Sequence, residues 1–282
     1  MTPADKVLLA FPSGAQLAPD GTTAAFTVRR ADTARNRWVT QVHMTATESG
    51  ETRQVTFGEK SCSDPLWSPD GRWLGFLSSR SALDRAGQRQ EDRTMLFVLP
   101  ASGGEARLLA AQPRDIDEYA WSPDGGTVAL LTDAVSSPHH RAVEGSRGAA
   151  SRNITVSSDV SAGKEFWLLD VSSGALRMVA TLDAGAQSLA WFPDGKRLVY
   201  QTNYTGDYDD EQKFDLWTVS VSGATEQLTS VAGPESAPQV SPDGSTIAFI
   251  SQTVPDIEFA KTEISLLDLE SRQRRRLTES NA

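Results

Sequence analysis

The sequence predicts an all-β chain built from five four-stranded antiparallel units. Three observations carry this: a turn phrase that recurs, a period-two apolar run after each turn, and further strand-like runs in every interval. The phrase Trp67-Ser68-Pro69-Asp70-Gly71 returns unchanged at Trp121 to Gly125 and slightly altered three more times. Its glycines, Gly21, Gly71, Gly125, Gly195 and Gly244, stand 50, 54, 70 and 49 residues apart, which is a repeat period.

The turn itself has a mechanism. Proline presets one backbone angle, aspartate accepts a hydrogen bond from the backbone two residues on, and glycine takes the left-handed conformation that closes a tight hairpin. Each phrase therefore joins the first strand of a unit to its second. The positions three and five after the glycine are apolar each time, as in Leu74 and Phe76 or Ile247 and Phe249, so the second strand has period two. The residue between them is mostly small (Ala25, Gly75, Ala129, Val199, Ala248), which fits a strand packed on both faces.

A third strand is expected at Trp38 to Val42, Leu96 to Leu99, Phe166 to Leu169, Leu216 to Val219 and Ile264 to Leu269. A fourth follows a Ser/Gly turn, at Arg53 to Thr56, Arg107 to Leu109, Arg177 to Val179, Gln227 to Thr229 and Arg275 to Thr278. Four strands in roughly 50 residues is the size and order of a β-propeller blade. The expected blades span 14–57, 58–110, 111–181, 182–230 and 231–279, after a helix-like segment over 1–13. Trp67, Trp121 and Trp191 share one register, and matched aromatics in a repeat are expected to pack between blades.

Composition excludes several function classes. The 282 residues are 39% apolar, enough for a large core, and the formal net charge is -10. A nucleic-acid binder needs a basic face that releases counterions, so nucleic acid is not an expected partner. The apolar run Val7 to Phe11 is too short for a leader or a membrane span, and no later run is longer in that sense, so no membrane partner and a soluble, cytoplasmic chain are expected. Cys62 is the single cysteine, which rules out an internal disulfide, and it is expected to be a small packed side chain.

The run "GETRQVTFGEKSCSDPLWSPDGRWLGFLSSR" (50–80), the run "LFVLPASGGEARLL" (96–109) and the start "TPADKVLLAF" (2–11) resemble the N-terminal propeller of prolyl oligopeptidase family serine peptidases. The acylaminoacyl-peptidase and dipeptidyl-aminopeptidase branch is the nearer resemblance, and TolB-like propellers share the Ser-Pro-Asp-Gly turn. The family resemblance implies a ring of seven or eight blades preceding an α/β-hydrolase domain that carries a Ser, Asp, His triad. In that family the propeller restricts access to short peptides. Five turn motifs ending at Ala282 depart from the pattern, so the expectation is a region lacking its hydrolase domain, with that domain and short peptides as partners.

The residues agree that this region has no catalytic centre of its own. A nucleophile elbow needs Gly-x-Ser-x-Gly, which does not occur, so no catalytic residue is assigned. His43 lies at a strand end, and His139 and His140 are neighbours in a long loop, where adjacent side chains point apart. No Cys, His or carboxylate spacing suits zinc, and "GDYDDEQ" (206–212) lacks the glycine and closing glutamate of a calcium loop. No metal and no cofactor are expected.

Function is expected on the links between second and third strands, which are long: 29–37, 78–93, 132–163, 201–213 and 251–261. Their charge is segregated. The first three carry Arg29, Arg30, Arg35, Arg37, Arg80, Arg85, Arg89, Arg93, Arg141, Arg147 and Arg152, while the fourth carries Asp207, Asp209, Asp210 and Glu211. Of these, Arg85, Arg93, Arg141, Arg147 and Arg152 with the four acidic residues are the candidate substrate-gating residues, the cations for a peptide carboxylate and the acids for its amine. The competing reading is a stand-alone TolB-like propeller that binds a protein partner. Five blades cut from a larger ring would expose two blade faces, so self-association is expected of the chain alone.

Overall fold

The turn phrase acts first through hydrogen bonds. In the computed structural model Gly71 N donates to Ser68 O (2.8 Å), Asp70 accepts from Ser68 Oγ (2.6 Å) and Arg72 N (3.0 Å), and Ser68 Oγ accepts from Trp73 N (3.0 Å). The fifth copy repeats this: Asp243 accepts from Ser241 Oγ (2.6 Å) and Ser245 N (3.0 Å), and Thr246 N donates to Ser241 Oγ (3.0 Å). These donors hold the carboxyls of Asp70 and Asp243 down to about 2. Serine and aspartate thus recur because they close the hairpin's polar circuit.

The structure describes residues 8–91, 93–134, 163–182, 184–203, 214–230, 233–252 and 260–278. It contains five four-stranded antiparallel sheets, each a propeller blade, and no helix among the described residues. Blade one is β1 (Phe11–Leu17), β2 (Thr23–Asp32), β3 (Arg37–Ala46) and β4 (Thr52–Gln54). Blade two is β5 (Cys62–Trp67), β6 (Trp73–Ser78), β9 (Met95–Pro100) and β10 (Arg107–Ala110), with a small hairpin, β7 (Ala82–Leu83) and β8 (Arg89–Gln90), inserted between β6 and β9.

Blade three is β11 (Ile116–Trp121), β12 (Thr127–Asp133), β13 (Lys164–Asp170) and β14 (Leu176–Leu182). Blade four is β15 (Ala186–Trp191), β16 (Arg197–Asn203), β17 (Phe214–Ser220) and β18 (Thr225–Gln227). Blade five is β19 (Glu235–Val240), β20 (Thr246–Gln252), β21 (Thr262–Asp268) and β22 (Arg274–Arg276). The expected helix-like segment falls partly on 1–7, outside the described residues. The rest differs: β1 begins at Phe11, so Phe11 to Ser13 are strand, because they pair with Thr27 to Arg29 of β2.

Two compact units result. One comprises Met1–Ile116, Asp124–Thr127 and Asp170–Ala175, and the other Asp117–Pro123, Val128–Leu169 and Leu176–Ala282. In the first, Ala25, Val42 and Met44 of blade one interlock with Leu74, Phe76 and Phe97 of blade two. In the second, Leu131 and Phe166 of blade three meet Leu198 and Tyr200 of blade four, and Val199 and Leu216 meet Ile247 and Phe249 of blade five. Along β16 the alternation thus supplies one set of side chains, Leu198 and Tyr200, to the seam with blade three and the other, Val199, to the seam with blade five.

The tryptophans serve packing and add a staple. Trp67 Nε1 donates to Gln16 O of blade one (3.2 Å), and Trp191 Nε1 donates to Ala120 O of blade three (3.0 Å). Replacing Trp67 by Phe removes that bond and is expected to lower stability by about 1 kcal/mol. Urea unfolding checks this, and an unchanged midpoint would show that the staple adds nothing. The turns also nest, since a Cβ on Gly71, Gly125 or Gly244 would lie 3.5–3.7 Å from the proline Cδ of the preceding turn, Pro19, Pro69 or Pro193.

First strands carry a bulge that sequence reasoning did not anticipate. Left-handed residues sit in it: Gly14 (φ 62), Asp64 (φ 52), Ser188 (φ 61) and Ala237 (φ 52). In the second unit the bulge amides are capped from the preceding blade. Glu118 accepts from Ser188 N (2.7 Å) and Leu189 N (2.6 Å), and Gln201 Oε1 accepts from Ala237 N (3.1 Å).

Candidate binding face

The links between second and third strands differ from the expected loops, and the differences change which charges are available. The 29–37 link is mostly strand, because β2 runs to Asp32 and β3 starts at Arg37, so Arg29 and Arg30 are paired with Thr40 and Val39. Arg29 stacks over Trp38, with its guanidinium carbon 4.7 Å from the ring centre. Arg35 Nη2 lies 2.5 Å from Glu59, and Arg37 Nε lies 3.6 Å from Asp32, a network that spends both cations on local carboxylates.

The 78–93 link folds into the β7–β8 hairpin, held at its tip by Asp84, which accepts from Ala86 N (2.9 Å) and Gln88 N (2.8 Å). Arg85 extends from this tip to the turn between β13 and β14, donating to Val171 O and Ser172 O at 3.0 Å each. That turn belongs to the opposite, tight-turn end of the sheets, so the hairpin reaches across rather than standing on the long-loop end. The contact needs glycine: a Cβ on Gly174 (φ +75) would sit 2.8 Å from the Arg85 guanidinium.

Arg93 donates to Gln112 O (3.0 Å), and Arg89 Nε pairs with Glu91 (2.7 Å). Arg80 covers the Phe76 and Phe97 rings and donates to the Cys62 sulfur, so the buried thiol is a packed side chain, as expected. Between the hairpin and β10 lies a cleft of about 420 Å3 lined by Arg80, Leu83, Arg85, Phe97, Arg107 and Leu109.

Arg141, Arg147, Arg152, Asp207, Asp209, Asp210 and Glu211 lie outside the described residues, as do His139 and His140. Of the candidate gating residues the structure therefore places Arg85 and Arg93, and both hold backbone carbonyls. His43 is buried and stacks on Phe26, with ring centres 5.8 Å apart. Among the described residues no group of His, Cys, Asp or Glu is arranged to hold a metal ion.

The second unit carries half-buried and buried charge where the long links leave the sheets. Lys164 Nζ lies 2.7 Å from both Asp117 and Asp133. Burial works against its charge, but the two carboxylates outweigh it and hold the ammonium above its ordinary pKa.

Glu235 opens β19 and is wholly buried, in a register that the other blades fill with Pro12, Cys62, Ile116 and Ala186. Burial pushes its carboxyl up to about 7, against a hydrogen bond from Thr229 and the Arg274 guanidinium 3.4 Å away, while buried Asp215 adds to the rise. Its Oε2 has no hydrogen-bond partner. Sequence reasoning missed this group, although its departure from the apolar register was visible.

The fold is a β-propeller of four-stranded antiparallel blades. No protein-family model matches the chain. It is 28% identical over 213 residues to an uncharacterised peptidase of Bacillus subtilis, YuxL, covering 72% of this chain and 31% of that protein. It is 23% identical to dipeptidyl-peptidase 5 of Porphyromonas gingivalis, covering 97% of this chain and 42% of that protein. The chain thus spans less than half the length of either relative.

Among solved structures, an acylaminoacyl peptidase in complex with Z-Gly-Gly-Phe-chloromethyl ketone superposes with a TM-score of 0.65 at 12% identity, over 98% of this chain and 41% of that one. A TolB-like protein of Agrobacterium tumefaciens superposes at 0.62 and 18% identity, over 95% of this chain and 80% of that one. Fold and relatives together fit the propeller of a prolyl oligopeptidase family peptidase, as the sequence motifs imply. No helix among the described residues is long and apolar enough to cross a membrane.

Proposed function

We propose that this chain is the substrate-gating, non-catalytic propeller region of a serine peptidase that cleaves short peptides, of the acylaminoacyl-peptidase or dipeptidyl-peptidase kind. The observation that carries the reading is its similarity, along most of its length, to two proteins named as peptidases. Charge supports the selectivity. With Arg85 and Arg93 committed to carbonyls of the scaffold, Arg141, Arg147 and Arg152 are the cations left for a peptide carboxylate, and Asp207, Asp209, Asp210 and Glu211 suit its ammonium.

Exposed charge pairs contribute only about 0–1 kcal/mol each, so the four acids must act together. Fluorescence anisotropy with labelled tetrapeptides tests this, using a free and an acetylated amino end. Neutralising all four acids is expected to weaken the free-amine peptide about tenfold, or about 1.4 kcal/mol, and to leave the acetylated peptide unchanged. Equal losses for both peptides would remove the acidic segment from substrate selection.

A second reading, a stand-alone TolB-like interaction propeller, is favoured by the extent of the Agrobacterium match, which covers 80% of that chain. It predicts no discrimination between the two peptides.

A further inference from the structure

Blade two carries a cleft that the gating reading does not use. It measures about 420 Å3 between the β7–β8 hairpin and β10, and every residue lining it falls within one compact unit. That volume suits a small ligand or a few residues of peptide.

The hairpin wall of the cleft is fixed. Arg85 at its tip donates to Val171 O and Ser172 O at 3.0 Å each, and Asp84 ties the tip together by accepting from Ala86 N, Gln88 N and Gln90 Nε2. A wall in place before a ligand arrives spares the ordering cost of binding.

Three features of the lining select the ligand. The first is backbone. β10 is the outer strand of its sheet: it pairs with β9 on one side and with no strand on the other, since β7 and β8 form a separate two-stranded sheet. Such an edge offers N–H and C=O groups to an extended chain. The second is apolar surface. Buried Phe97 and Leu109 border the cleft, and so does Leu83 of the hairpin, which is 66% exposed.

The third is charge. Arg80, Arg85 and Arg107 line the cleft, with Asp84 and Glu105. Arg80 and Arg85 donate to neutral groups, a thiol sulfur and two carbonyls, so their positive charge is not cancelled. Arg107 rests on Trp73, its guanidinium carbon 4.4 Å from the ring centre, and makes no ion pair or side-chain hydrogen bond among the described residues. Asp84 is consumed by the hairpin tip, which leaves Glu105 as the unspent acid of the lining.

We propose that this cleft binds the carboxyl-terminal end of an extended peptide. The peptide backbone lies along the outer edge of β10, its last apolar side chain packs against Leu83, Phe97 and Leu109, and its carboxylate meets the Arg107 guanidinium. A free alkanoate has the same carboxylate and apolar chain but nothing to pair with β10, so the edge strand favours the peptide.

Fluorescence anisotropy on the 282-residue chain tests this with the pentapeptide Gly-Gly-Ser-Leu-Leu, labelled at its amino end so that no ammonium remains, as free acid and as amide. The acid is expected to bind, and the amide about tenfold more weakly for loss of one guanidinium–carboxylate pair. Arg107→Gln is expected to bring the acid down to the affinity of the amide and to leave the amide unchanged. Glu105→Gln should tighten the acid alone, and Leu83→Ser should weaken both. All three positions are exposed, and circular dichroism is expected to show the fold retained in each variant. Neutralising Asp207, Asp209, Asp210 and Glu211 should leave the acid peptide unaffected, which separates this site from the proposed gate. Failure of both peptides to bind overturns the proposal, as do equal affinities for acid and amide, or an Arg107→Gln variant that still prefers the acid. Displacement of the acid peptide by equimolar octanoate overturns it too, because the β10 edge would then contribute nothing.

Discussion

Replacing Glu235 by Gln is expected to stabilise the protein at pH 8 and leave it nearly unchanged at pH 4. Glu235 is a buried acid whose carboxyl is raised from 4.5 to about 7, so folding favours its protonated form. The stability tied to that proton is fully present below about 4.5 and is lost as pH rises through about 7. At about 1.36 kcal/mol per pKa unit, the loss is on the order of 3 kcal/mol, with the attraction of the Arg274 guanidinium already contained in the value of about 7. Glutamine keeps the shape and carries no charge, so its stability should be flat across that window, whereas alanine should destabilise at every pH by leaving a cavity. Denaturant midpoints from pH 4 to 8 read this directly, and parallel curves for wild type and Glu235→Gln would show that Glu235 ionises freely. The turn aspartates act in the opposite sense. Asp70 and Asp243 are depressed to about 2, so what they contribute is present above 3.8 and lost as pH falls toward 2.

Gly223→Ala is expected to be among the most damaging single-atom additions. Gly223 closes the β17–β18 turn with φ +97, and a Cβ there would lie 2.4 Å from the backbone oxygen of Val179 on β14, which cannot move without the strand. A left-handed backbone alone costs about 1–2 kcal/mol for a residue with a Cβ, and the clash takes the loss to about 3 kcal/mol or more. Gly195→Ala is the control, because Gly195 has a similar sign of φ (+65) with nothing within 4 Å. It should lose about 1 kcal/mol. Thermal melts of both variants compare them, and equal losses would mean that the Val179 contact does not constrain the seam between blades three and four.

Blade count, strand order and the turn mechanism were legible because each rests on local chemistry repeated along the chain. Serine, proline, aspartate and glycine close the hairpin by bonds within a few residues of one another, and the small residue between two apolar ones marks a strand covered on both sides. The bulges were not legible. Ser188 and Ala237 adopt left-handed backbone without glycine, held by Glu118 and Gln201, which lie far off in sequence.

The partners of the described arginines were not legible for the same reason. Arg29, Arg35, Arg37, Arg85 and Arg93 form a basic field in sequence, but each finds a ring, a carboxylate or a carbonyl brought to it by the fold. Glu235 could have been found, since an acid in a register of Pro, Cys, Ile and Ala breaks the repeat. Its meaning needed burial, which only packing supplies.

The gating account is tested most directly by a serine-directed fluorophosphonate. The probe is applied to the polypeptide encoded at the native locus and, separately, to residues 1–282. The account predicts stoichiometric labelling of the locus product at a serine outside 1–282, in a Gly-x-Ser-x-Gly frame, and none of residues 1–282 alone. A locus product that takes no label, or a label on any serine within 1–282, would contradict it.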